Sequence, residues 1–66
     1  MNILLNNNKE EISDGITIDQ LIKVKNVNNK YFAVEINEQV IPKSNYHKHV
    51  IKDGDVIEII TAIGGG

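Results

Sequence analysis

Only one stretch of this sequence is patterned for a helix, and it is barely two turns long. Thr17 stands three residues before Gln20. That is the spacing of a capping box, in which the two side chains satisfy each other's free backbone N–H groups. Ile18, Leu21 and Ile22 then fall at i, i+3 and i+4, a single apolar stripe. The stripe stops at Lys25, and Asn26, Asn28 and Asn29 follow. So short a helix gains its stability from packing rather than propensity, and it covers one face of one sheet. The whole chain has 66 residues, enough for one domain. A domain of that size buries only about 60% of the surface its unfolded chain exposes. Enclosing the several hundred Å³ of a ligand pocket is beyond most such folds. The expectation is a carrier, binding module or subunit.

The remaining residues are patterned for strands. Met1, Ile3 and Leu5 alternate with Asn2, Leu4 and Asn6, the period of a half-buried strand. Asn7-Asn8 is the expected hairpin turn, because Asn tolerates the left-handed conformation such turns need. Lys9 to Ile12 returns as a short strand, and Ser13-Asp14-Gly15 punctuates the chain. Tyr31 to Ile36 is the clearest strand, with Phe32, Val34 and Ile36 on one side and Ala33 and Glu35 on the other. Val40-Ile41 is stopped by Pro42, which cannot donate to a ladder. Residues 43–50 read as loop, Asp53-Gly54-Asp55 as a turn, and Val56 to Ile60 as a β-branched strand.

The order β-β-α-β-(β)-β, with the most apolar strands first and last, predicts those two side by side and parallel in the centre. The expected fold is α+β, a β-grasp (ubiquitin-like) mixed sheet with one short helix packed across it. Residues 1–60 form the expected domain and residues 61–66 a flexible C-terminal carrier tail.

Composition removes several function classes. Seven Lys, no Arg and nine acids leave a net charge of −2, without the basic stripe of a nucleic-acid binder. No run of 18 apolar residues points to a membrane helix. No basic flank and apolar stretch marks a signal peptide, so the expected compartment is the cytoplasm. There is no Cys, hence no disulfide, thiolate zinc site or cysteine persulfide. His47 and His49 fall short of the three or four ligands zinc prefers, and no metal site is expected. Ser44 is expected to cap a short turn and Lys43 to face a partner.

The last three residues are Gly64, Gly65 and Gly66. Glycine lacks a Cβ and makes the thinnest possible peptide. Extended, residues 61–66 reach roughly 20 Å beyond the last strand. Such a tail can thread a narrow tunnel in a partner, with Ile63, Gly64 and Gly65 inside it and the Gly66 carboxylate at its end. Three glycines read alone fit frayed chain or a linker stub equally well.

Asn37, the Pro42-Lys43-Ser44 loop with Tyr46 soon after, Asp53-Gly54-Asp55, Ile57-Glu58-Ile59 and the terminal Gly-Gly together resemble the sulfur carrier proteins of thiamine biosynthesis, the ThiS family. The resemblance covers the whole chain. It departs at the first hairpin, where family members often have Asn-Gly and this chain has Asn7-Asn8. What it implies is a three-step cycle. An adenylating, E1-like partner uses Mg-ATP to convert the Gly66 carboxylate to an acyl adenylate. A persulfide donor fed by a cysteine desulfurase replaces AMP and leaves a thiocarboxylate, and thiazole synthase takes that sulfur into the thiazole ring. On this reading the chain is a co-substrate with no catalytic residue and no bound cofactor of its own. Three alternatives stay open. The molybdopterin synthase small subunit shares the chemistry, but would call for Pro-Pro where this chain has Thr61-Ala62-Ile63. A ubiquitin-like modifier would be joined to lysines through Gly66, and a plain interaction module would have no use for the tail.

Glu58 is the only charged residue of the last strand and should face water. Alternation then turns Val56 and Ile60 outward with it, and Leu4 and Ala33 likewise. An apolar patch at the root of the tail is the expected docking surface, gripped through Leu4, Val56 and Ile60. Asp53, Asp55 and Glu58 should crowd the approach to the tail, either as a solvated turn or as an acidic collar.

Overall fold

The structure, a computed structural model, describes residues 1–27 and 32–61. Its elements are β1 (Asn2–Leu5), β2 (Asn8–Glu11), α1 (Ile18–Val24), β3 (Phe32–Ile36), β4 (Gln39–Ile41), a 3₁₀ turn (Lys43–Asn45) and β5 (Val56–Thr61). They form one five-stranded sheet in the order β2-β1-β5-β3-β4. β1 and β5 are parallel, with Leu4 opposite Val56 and Leu5 opposite Ile57. The other pairings are antiparallel. This is the expected mixed β-grasp sheet with its first and last strands central.

The helix begins where the capping box places it. The Thr17 side chain accepts from the Gln20 N–H at 3.3 Å, and the Gln20 amide oxygen accepts from the Thr17 N–H at 2.9 Å. The two N–H groups left over at this end of the helix go to the segment before β5. Ile18 donates to the His49 carbonyl and Asp19 to that of Tyr46, each at 3.1 Å. The first turn is therefore fully satisfied by its cap and by a loop. At the other end Asn26 adopts φ 56°. Its N–H donates to Lys23, and that of Val27 to Ile22, a Schellman closure. The Lys25 ammonium then grips both Glu10 carboxylate oxygens on β2, at 2.8 and 2.9 Å. That contact ties the end of the helix to the edge of the sheet.

Ile18 and Leu21 of the helix pack on Ile3, Leu5, Val34, Ile36 and Ile57, and all seven are buried. The segment expected as plain loop contributes to this core as well. Tyr46 is buried and stacks on Phe32 with ring centroids 6.0 Å apart. Ile51 is buried too, and a bridge joins Val50 to Thr17. Ser44 lies within the 3₁₀ turn and does not cap it: the N-cap position is Pro42, with no side-chain bond. The first hairpin turns at Asn6-Asn7, with φ 49° and 68°, one residue before the expected Asn7-Asn8. Asn8 begins β2 opposite Leu5, because the ladder holds on to any residue it can pair. β5 also runs one residue past the expected Ile60, with Thr61 opposite Phe32. The tail residues Ala62, Ile63, Gly64, Gly65 and Gly66, and Asn28, Asn29, Lys30 and Tyr31 before β3, lie outside the described residues. Among those described, no helix is long and apolar enough to cross a membrane.

Replacing Thr17 by Ala should lower unfolding stability by about 1 kcal/mol, the usual worth of an N-cap, with Ser at this position keeping most of it. Urea titration followed by circular dichroism checks this. An unchanged midpoint would mean that the loop carbonyls alone hold the helix start.

Candidate functional site

Whatever the C-terminal tail does, it starts from β5, so the holding of that strand sets the site. Its first residues are held by a tight turn. Gly54 adopts φ 85°, a conformation that costs a side-chain-bearing residue but not glycine. Its N–H donates to the Asn2 carbonyl at 2.7 Å, and the Asn2 N–H donates to Asp53 Oδ1 at 2.7 Å. Asp55 is buried, with 9% relative exposure. Its carboxylate accepts from the Lys52 N–H at 2.9 Å and from Asn37 Nδ2 at 3.0 Å. Asn37 Oδ1 in turn accepts from the Val56 N–H at 3.0 Å, while the Asn37 N–H donates to the Val56 carbonyl at 2.8 Å. A buried carboxylate with a donor on each of its two oxygens is tolerable, whereas an unpaired one would be costly. Asn37 and Asp55 thus lock the start of β5 to the end of β3.

The far end of β5 is held differently. β1 turns away at Asn6, but the Asn6 side chain continues the pairing in its place. Asn6 Oδ1 accepts from the Ile59 N–H at 2.9 Å and Asn6 Nδ2 donates to the Ile59 carbonyl at 3.4 Å. Its own N–H donates to the Ile57 carbonyl at 2.9 Å. On the other edge β3 pairs with β5 all the way to Thr61. The strand is therefore directed from both edges to within two residues of its end, and the tail leaves from a rigid root. Nothing in the sequence pattern marked Asn6 for this role; it reads simply as the last polar position of an alternating strand.

The three residues expected to dock a partner all lie on the sheet face away from the helix. Their neighbours Ile3, Leu5 and Ile57 are buried on the opposite face, while Val56 and Ile60 are exposed and Leu4 is half-buried. The register, however, corrects the expectation that Leu4 meets Ile60 at the root of the tail. Leu4 stands opposite Val56 and Ile60 opposite Ala33. Four residues of strand put Ile60 roughly 13 Å further along β5 than Val56, with Glu58 between. The cause is that contacts of Asn2 with Asp53 and Gly54 align the starts of β1 and β5, and the four-residue β1 ends early. The acidic collar is corrected too. Asp53 and Asp55 sit before β5, roughly 20 Å from its tail end, and both are engaged in the turn. Only Glu58 of that trio faces outward along the strand. Sequence reading missed Glu35, which stands directly opposite Glu58, and Val40, 66% exposed and opposite Glu35.

The sequence profile of the ThiS family matches residues 3–66. The chain is 30% identical over 66 residues to the sulfur carrier protein ThiS of Escherichia coli, covering all of both proteins. It is 35% identical over 66 residues to a thiazole synthase of Paramagnetospirillum magneticum, where it spans the whole of this chain but only 20% of that larger protein. The crystal structure of a thiamine biosynthesis protein, ThiS, from Geobacter metallireducens superposes with a TM-score of 0.87 at 26% identity, covering both chains completely.

Substituting Asn6 by Ala should speed hydrogen exchange of the Ile59 amide about fivefold, the worth of one net hydrogen bond. The Val56 amide, held by Asn37, should keep its protection. Unchanged exchange at Ile59 would show that Asn6 does not hold the root of the tail.

Proposed function

The chain belongs to the ThiS family and is a sulfur carrier of thiamine biosynthesis, a protein co-substrate rather than an enzyme; we propose that the sulfur rides on the carboxylate of Gly66. The observation that carries the proposal is continuity. The matched region runs through the terminal glycine, and only residues 62–66 separate that carboxylate from a strand held on both edges. A rigid root with a thin, side-chain-free end suits delivery of one carboxylate into a partner's active site.

The chemistry follows from what a carboxylate lacks. Its carbon is a poor electrophile, because neither oxygen leaves readily at neutral pH. In the proposed cycle one carboxylate oxygen attacks the α-phosphorus of Mg-ATP on an adenylating partner, and pyrophosphate leaves. The mixed anhydride has AMP as a good leaving group. A persulfide sulfur, supplied from a cysteine desulfurase, attacks the acyl carbon and AMP departs. Thiol reduction of the resulting S–S bond then leaves the thiocarboxylate. Splitting one difficult substitution into activated steps is the gain of covalent catalysis. Thiazole synthase is the acceptor in this scheme. A relative bearing that name aligns with this chain along its full length, which supports the pairing of the two activities. ATP-dependent activation makes the cytoplasm the compartment this reading implies. The partners are proposed to grip the outer face of the sheet through Leu4, Val56 and Ile60 while Ile63, Gly64 and Gly65 enter their tunnels. The molybdopterin synthase small subunit is the less favoured reading: the sulfur carriers named above match the chain end to end.

Deleting Gly66, or adding one residue after it, should abolish ATP–pyrophosphate exchange with the activating enzyme. The melting temperature should stay within a degree or so, because neither change removes a side chain. Normal exchange by the extended chain would rule out terminal activation.

A further inference from the structure

The outer face of the sheet holds an arrangement that the fold itself does not need. Glu58 of β5 and Glu35 of β3 are direct cross-strand partners. Both point away from the helix, since Val34, Ile36 and Ile57 beside them are buried on the other face. Side chains so opposed have Cβ atoms about 4.5–5.5 Å apart, and like charges there repel. Among the described residues neither carboxylate has a cation. The ion pairs join Met1 to Asp14 and Lys25 to Glu10. Lys9, on the same face, stands opposite Leu4 on the far side of β1. Register would be kept equally well by two neutral side chains, so the repulsion is unexplained by the domain alone.

What surrounds the two carboxylates is apolar. Val56 and Ile60 flank Glu58 along β5, 40% and 48% exposed, and Val40 stands beside Glu35 at 66% exposure. Ala33 and Leu4 complete the rim. Exposed apolar side chains gathered on one face mark a contact surface. A pair of like charges at its centre fixes the sign of what the contact must supply. Buried under an apolar partner, two unpaired carboxylates would be strongly unfavourable. With a cation between them, the same burial strengthens the attraction and the repulsion is removed.

We infer that this face docks a partner protein whose surface carries an arginine ringed by apolar side chains, with its guanidinium placed between Glu35 and Glu58. The guanidinium suits the place better than an ammonium does: its planar fork of donors can address two carboxylates at once and is more weakly hydrated. The inference rests on the sulfur-carrier reading, which makes the adenylating enzyme and thiazole synthase the proteins to test. It also gives the apolar patch a specificity element, because a partner without the cation would be rejected at its centre.

The variants Glu35→Gln, Glu58→Gln and the double change separate this role from a structural one, since the two effects have opposite signs. The melting temperature of the free protein should rise with each change as the repulsion is relieved. Affinity for at least one of the two enzymes, measured by calorimetry, should fall tenfold or more. The loss should shrink at high salt, where the wild-type complex itself weakens. A rise in melting temperature with unchanged affinity for both enzymes would overturn the inference. So would a fall in melting temperature, because it would mean that the carboxylates already have partners within the chain. Mass measurement of wild-type charging, run alongside, keeps the two readings apart. A wild type that charges while the Gln variants bind normally sinks only the docking claim, whereas a wild type that never gains sulfur sinks the carrier reading beneath it.

Discussion

The pairing of β5 on both of its edges is the constraint from which the rest of this molecule follows. Five strands and a two-turn helix leave little apolar surface to bury, and a strand at the edge of so small a sheet would fray. β5 is instead central, parallel to β1 and antiparallel to β3, and its Ile57 is fully buried beneath the helix. Where backbone partners run out, side-chain amides take over. Asn37 pairs with Val56 at one end and Asn6 with Ile59 at the other. Two asparagines thereby lengthen the ladder beyond what β1 and the β3–β4 hairpin supply.

That economy separates a rigid part from a thin part. The described core is built from residues up to Thr61, and the three glycines that end the sequence carry no side chain to bury. The end can then be shaped wholly by passage through a partner, while the root keeps its direction. The outer face divides its labour in a similar way. Val40, Val56 and Ile60 offer apolar area, and Glu35 with Glu58 offers charge at a cost in intrinsic stability that a purely structural face would avoid.

Much of the fold was legible because the two relevant periods are simple. Alternation in residues 1–5 and 56–60 placed two strands, and Thr17 with Gln20 placed the helix start to the residue. The pieces that escaped are those decided by tertiary contact. Tyr46 and Ile51 sit in a stretch without periodicity, so their burial could not be read before the helix start was seen to lean on that loop. Three consecutive asparagines all tolerate a turn, and only the ladder chooses Asn6-Asn7. Register was the largest gap in reading the site. Glu35 and Glu58 lie 23 positions apart in sequence, and only the antiparallel pairing of β3 with β5 sets them face to face. The terminal glycines, in contrast, stand in the sequence itself, and the reading of them came from the motifs that precede them rather than from any contact.

Mass spectrometry of the intact chain, after incubation with the activating enzyme, Mg-ATP and sulfide, tests the central claim most directly. The expected product is heavier by the difference between one sulfur and one oxygen atom. After trypsin the gain should lie entirely in residues 53–66, the peptide that follows the last lysine, Lys52, and fragmentation should place it on Gly66. A sulfur found on any other residue, or a mass that never changes although the enzyme consumes ATP, would contradict a carrier that works through its terminal carboxylate.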